Sequence, residues 1–124
     1  MVRIETISDE LITYGVEQRM QDLYIYFLSE SVAVYYRKDH QMIPFNNELS
    51  VETAQKLIAR FKYLGEMDVG EKRKAQLGAI TYPLNQGEQR LRLSTVGDYR
   101  GKESLVVRFL HQIKEQQLGY FYPT

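Results

Sequence analysis

Apolar residues recur along the chain at two different periods, and the changes of period mark out its elements. Leu11, Ile12, Val16 and Met20 fall at helical spacing, with Ser8 placed to cap the helix, Asp9 and Glu10 set against the positive end of its dipole, and an end near Gln21. "DLYIYFL" and "SVAVYYR" follow, rich in aromatic and β-branched residues and separated by the polar "SES", which predicts a hairpin. A third short strand is expected in "QMIPF", where Pro44 confines it to an edge or an early ending. In "LSVETAQKLIARFKYLGEMD" the helical period returns: Ser50 can cap it, Ala54, Leu57, Ile58, Phe61 and Leu64 make one stripe, and Gly65 can stop it. The period then becomes two through "GAITYPL", "QRLRLST" and "ESLVVRFL", joined through "NQGE" and "VGDYRGK". The expected order is α-β-β-β-α-β-β-β, followed by the tail "HQIKEQQLGYFYPT", to which no element is assigned. Helices segregated from hairpin-linked strands define an α+β domain with a mainly antiparallel sheet.

Alternation also assigns side chains to faces. In "RLRLS", Leu91 and Leu93 share one side, so Arg90, Arg92 and Ser94 share the other; in "SLVVRF", Leu105, Val107 and Phe109 oppose Ser104, Val106 and Arg108. If these strands form a hairpin with their apolar sides inward, Arg92 and Arg108 lie together on the polar face. Tyr24 and Tyr26 share a face of their strand, and Val32, Val34 and Tyr36 share one on the next.

Composition narrows what such a face can serve. The 124 residues suffice for one domain with one core, and the formal net charge of 0 provides no global field to draw in nucleic acid or an anionic membrane. The charge is unevenly spread, however: from Glu71 through Arg108 there are eight basic residues against four acidic ones. Three of the eight, Lys72, Arg73 and Lys74, stand together in "MDVGEKRKAQLGAI", between Gly70 and Gly78. A charge run of this kind is ordinarily a solvated turn, yet arginine's planar fork also suits phosphate. There is no cysteine, hence no disulfide framework and no thiolate metal site. No apolar run is long enough to span a bilayer, and the start lacks the basic-then-apolar pattern of a signal peptide, so the chain reads as cytoplasmic.

Catalytic groups are not recognisable. "VGDYRGKES" contains a Gly-Lys pair, but Gly97 stands one residue too close and Glu103 follows the lysine, so it reads as a hairpin loop and not as the G-x-x-x-x-G-K-[ST] phosphate loop. His40 and His111 have no ligand spacing around them, so no metal site is expected. Asp98 beside Arg100 resembles a turn pair, and Ser94 and Ser104 have no candidate base nearby in sequence.

Four segments carry a family resemblance: Lys62 to Val69, Glu71 to Gly78, Arg92 to Thr95, and Gly101 to Arg108. They are similar to K-x-x-A/G-x-M-D-I, E-x-R-x-P-Q-x-G, R-x-S-T and G-x-E-x-x-V-x-R of the N-terminal domain of the secretion and type IV pilus assembly ATPases. Within that family the resemblance is to the competence (ComG-type) ATPases of the DNA-uptake pilus. "QDLYIYF" takes the place of the family's S-D-I-H-I strand. The sequence departs from the pattern at Ala75, Leu77 and Ala79, and at Tyr24, where the family's strand histidine would stand.

The resemblance implies a PAS-like domain over residues 1–110 and, in 111–124, a tail or linker toward a RecA-like ATPase domain outside this sequence. It implies a regulatory and assembly role in a hexameric motor, with no catalytic residue in this chain and with ATP and Mg bound by the full protein. Arg92 and Arg108, then Arg73, would face the nucleotide phosphates across the interdomain cleft, with Lys72, Lys74 and Arg90 at the rim. The implied partners are the ATPase domain, neighbouring subunits and an inner-membrane pilus platform protein, with no direct contact to nucleic acid and a location at the cytoplasmic face of the cell membrane. The alternative reading is a stand-alone nucleic-acid or small-ligand binding module, suggested by the aromatic strands and the basic half.

Overall fold

The computed structural model of the chain describes residues 3–45, 49–85, 87–98 and 100–111; the expected tail lies outside them except for His111. The elements are α1 (Ile4–Glu17), β1 (Asp22–Phe27), β2 (Val32–Lys38), β3 (Gln41–Pro44), α2 (Val51–Leu64), β4 (Gln76–Leu84), β5 (Gly87–Gly97) and β6 (Glu103–Phe109). All six strands form one sheet in the order β3-β2-β1-β6-β5-β4, each neighbouring pair antiparallel. The α+β class with a mainly antiparallel sheet is as the hydrophobic pattern predicts. Among the described residues, neither helix is long and apolar enough to cross a membrane.

Helix α2 follows its sequence signals closely. Ser50 Oγ accepts a hydrogen bond from the Thr53 amide, the stripe from Ala54 to Phe61 is buried, and Gly65 caps the end. Helix α1 does not start at Ser8. It begins one turn earlier, with Arg3 at the N-cap position and no side-chain cap, and ends at Glu17, short of Gln21. Ser8 lies inside it, fully buried, with its hydroxyl 2.7 Å from that of Tyr82 on β4. The reason is packing: Ile4 and Ile7 extend the apolar stripe toward the N-terminus and rest against the core.

One face of the sheet is the core. Leu23, Ile25, Val34, Tyr36, Leu91, Leu93, Leu105, Val107 and Phe109 alternate inward and meet Leu11, Ile12, Leu57, Ile58 and Phe61 of the helices. Tyr36 therefore does not join a surface platform with Tyr24 and Tyr26. Its hydroxyl donates to the Leu11 carbonyl at 2.6 Å, and burial pushes its pKa up. Helix α1 comes so close to β6 that a Cβ built on Gly15 would stand 2.2 Å from Phe109 Cζ. The opposite face of the sheet is covered by neither helix, and it carries the polar set of the alternation. An antiparallel sheet with one solvated face is stable when the other face holds the core.

Candidate functional site

Register converts the sequence alternation into a row of charges across the open face. Asp22 stands opposite Arg37 on β2 and opposite Arg108 on β6; Arg108 stands opposite Arg92 on β5, and Arg92 opposite Ala79 on β4. The structure thus brings Arg92 and Arg108 together as direct cross-strand partners. Arg90 follows two residues before Arg92 on the same strand and, like it, is exposed. The Arg90 carbonyl accepts the Leu110 amide, so by parity Arg92 and Arg108 form a hydrogen-bonded pair with Cα atoms about 5.5 Å apart.

The row contains three guanidinium groups and one carboxylate. Asp22 has a side-chain exposure of 0% and three donors: Arg37 Nε at 2.7 Å and the Tyr24 hydroxyl at 2.8 Å on Oδ2, and Arg108 Nε at 3.1 Å on Oδ1. Burial acts to raise its pKa, but the hydrogen bonds from Arg37, Tyr24 and Arg108 outweigh it and hold the carboxyl below its ordinary value. Arg37 is further fixed by the Gln21 side chain and the Asp39 carbonyl. Arg108 keeps 55% of its side chain exposed, and among the described residues the Arg92 side chain has no hydrogen-bond or ion-pair partner. Such guanidinium groups can take an anion without first breaking a strong bond. The donor set fits phosphate oxygens. It offers nothing to Mg, because the carboxylate of the row is covered and already held by three donors.

The basic loop lies elsewhere. Lys62 on α2 is fully buried, and its ammonium donates to the carbonyls of Val69 and Glu71 and to both carboxylate oxygens of Glu103 at 3.0 and 2.8 Å. Within the loop, Asp68 accepts the Gly70 and Glu71 amides, Glu71 accepts those of Arg73 and Lys74, and the Gln76 amide group bridges Asp68 and Glu71. The amides of Arg73 and Lys74 hold Glu71 below the usual carboxylate range. The Lys72 carbonyl rests on Gly97, where a built Cβ would stand 1.8 Å away. Gly97 is five residues from Arg92, about 17 Å along the strand. Lys72, Arg73 and Lys74 are exposed, but they sit by the Gly97 end of β5, whereas the Arg92 and Arg108 pair stands at its middle.

Sequence reasoning missed Asp22, Arg37, Lys62 and Glu103. The alternation in "DLYIYF" puts Asp22 on the face of Tyr24, and that in "VYYR" puts Arg37 with Tyr35; what was lacking was the register that aligns them. The Tyr24 and Tyr26 rings do stack on the open face, with centroids 5.6 Å apart, and Tyr35 stands opposite Tyr24.

Set beside known proteins, residues 2–121 match the family model described as type II/IV secretion system protein, and the chain belongs to that family. It is 35% identical over 119 residues to the competence protein ComGA of Streptococcus pneumoniae and 34% identical over 112 residues to that of Bacillus subtilis, covering 96% and 90% of this chain. The type II secretion system protein E of Xanthomonas campestris is 32% identical over 100 residues, 81% of this chain. The chain spans 37%, 31% and 17% of the length of these three relatives.

Proposed function

We propose that this chain serves as the N-terminal regulatory and assembly domain of a hexameric traffic ATPase that powers a competence, DNA-uptake pilus. In this reading it works from the cytoplasmic face of the cell membrane, against neighbouring subunits and a membrane platform protein. Arg92 and Arg108 would face the phosphates of ATP held with Mg by a RecA-like domain of the same protein; Arg73, Lys72, Lys74 and Arg90 would lie further out. The observation that carries the reading is the opposition of Arg92 and Arg108 on the open sheet face, with the Arg92 side chain unpaired among the described residues. Family membership supports it.

The chain's own contribution is electrostatic. Two guanidinium groups aimed at phosphate oxygens favour the charge that develops in phosphoryl transfer, and they connect nucleotide occupancy to a rigid sheet. The nucleotide supplies the phosphoryl group; Arg92 and Arg108 orient it, and the sheet transmits its presence as domain movement. In the intact protein, Arg92→Ala is expected to lower the rate of ATP hydrolysis at least tenfold while urea unfolding of this domain stays unchanged. A steady-state rate equal to wild type would sink the role assigned to Arg92.

The stacked Tyr24 and Tyr26 favour a second reading, a platform for single-stranded nucleic acid, with Tyr35 opposite Tyr24 on the neighbouring strand. It requires salt-sensitive binding of an oligonucleotide, at least tenfold weaker in Tyr26→Ala. Fluorescence anisotropy at low salt showing no binding rejects it.

A further inference from the structure

Strand β4 ends the sheet, and among the described residues it pairs only with β5. Leu84 pairs with Gly87 across a two-residue connection, and such hairpins close on a hydrogen-bonded pair. Leu84, Tyr82, Ile80, Gly78 and Gln76 therefore turn their backbone groups toward β5. The Arg90 carbonyl, which accepts the Leu110 amide of the β6 end, fits the same parity from the other side of β5. Leu77, Ala79, Thr81 and Pro83 turn theirs outward. Pro83, with no N–H, stands where none is needed for β5 pairing, and it ends the outward ladder. The free edge thus presents the N–H and C=O of Leu77, Ala79 and Thr81, an arrangement that natural sheets ordinarily blunt or cover.

A groove runs beside this edge, walled on its other side by the helices. One stretch, about 410 Å³, is lined by Arg60, Leu64, Glu66 and the segment from Ala79 to Pro83. A second, about 550 Å³, is lined by Thr13, Val16, Glu17 and Glu88, and Asp9 and Pro83 border both. Two features define what fits. The carboxylates of Asp9, Glu17, Glu66 and Glu88 outnumber Arg60, so the groove attracts positive charge. The Arg60 side chain is half-buried, and its guanidinium has no hydrogen-bond or ion-pair partner among the described residues, a donor in want of an acceptor beside an open strand edge.

We propose that β4 and this groove bind an extended, basic segment of a partner protein by strand addition. The segment continues the sheet opposite Leu77 to Thr81, gives one backbone carbonyl to Arg60, and turns lysine or arginine side chains toward Asp9, Glu17 and Glu88. Main-chain pairing supplies affinity and the acidic groove selects charge. A second copy of β4 does not suit the site, because it would bring like carboxylates together. The surface is separate from the Arg92 and Arg108 row, which occupies the sheet face and not this edge, so the proposal goes beyond the nucleotide reading and does not depend on it.

The test uses the intact protein and a fluorescein-labelled seven-residue peptide of alternating lysine and valine, followed by fluorescence anisotropy. Saturable one-to-one binding is expected, at least tenfold weaker for the same peptide with glutamate in place of lysine. Ala79→Pro removes an outward N–H, and Arg60→Met removes the orphan donor while keeping the strand; each is expected to weaken binding at least fivefold. Peptide should slow hydrogen exchange at the amides of Leu77, Ala79 and Thr81, and Arg92→Ala should bind as wild type does. No binding, equal binding by Ala79→Pro and Arg60→Met, exchange protection confined to other strands, or a β4-dependent dimer that excludes the peptide would each overturn the proposal.

Discussion

Glu103→Ala is expected to destabilise the fold by about 3–5 kcal/mol, because it leaves the buried ammonium of Lys62 without its counter-charge. Lys62 would keep only the carbonyls of Val69 and Glu71, which are dipoles and not anions. A loss of that size is a large part of the ordinary stability of a domain, about 5–15 kcal/mol, and should lower Tm by on the order of 10–20 °C. Replacing both partners tests the cause. Lys62→Met combined with Glu103→Leu removes both charges and fills the space, so most of the loss should be recovered. The loop should then respond separately, since both loop carbonyls lose their donor: the Arg73 and Lys74 amides should exchange faster with solvent even where global stability returns. Urea unfolding that places Glu103→Ala within 1 kcal/mol of wild type would mean that the pair is not the anchor described.

This ion pair also shows what a single sequence conceals. Lys62 and Glu103 are 41 residues apart, and each lies in a segment carrying the family resemblance, Lys62 in the first and Glu103 in the fourth. Local pattern cannot show that the helix and the hairpin meet through them. What the pattern did convey was local: the Ser50 cap, the stripe of α2, and the alternation that separates Leu91, Leu93, Leu105 and Val107 from Arg92 and Arg108. It failed where tertiary packing overrode a local signal. Ser8 looked like a cap because it precedes two acidic residues, yet its hydroxyl meets Tyr82 on β4. Burial, and after it the hydrogen bond that the Tyr82 hydroxyl donates to the Asp9 carboxylate, push the Tyr82 pKa up to about 12, against the opposing effect of Ser8. The alternation places Val32, Val34 and Tyr36 on one face of β2, but parity within one strand does not say which face is inward. Register decides that, and register depends on pairing with strands elsewhere in the chain.

The resemblance is best understood through what its segments do. Lys62 and Gln76 brace the basic loop, Glu71 caps it, and Glu103 ties it to the sheet, so most of these positions build the scaffold. Arg92 and Arg108 are the charged ones left facing outward from the sheet. Three of the four departures, Tyr24, Leu77 and Ala79, fall on the same outer side. Leu77, 79% exposed, and Ala79 occupy the edge beside them, and Ala79 stands opposite Arg92 with no polar group to offer it.

Asp22→Asn should destabilise the domain by roughly 2 kcal/mol near neutral pH, since it replaces a charged acceptor serving three donors by a neutral one. Removing the charge also leaves Arg37, Arg108 and Arg92 adjacent with no anion between them. The pH dependence distinguishes this from a simple packing defect. Asp22 has a folded-state pKa below its ordinary value, so its contribution is fully present above the unfolded-state value near 3.9 and is lost as the pH falls through the lower folded-state value. Urea unfolding should therefore separate wild type from Asp22→Asn at pH 7, and the difference should shrink as the pH is taken from 4 toward 2, where the wild-type carboxyl also becomes neutral. A difference constant over that range would place the effect in shape and not in charge. In the intact protein the same substitution frees Arg108 from its fixed position, and ATP hydrolysis should fall even at temperatures where the variant is fully folded. Asp22 acts through Arg108, so a variant that retained the wild-type rate while losing stability would confine Asp22 to the fold and leave Arg92 to carry the nucleotide contact.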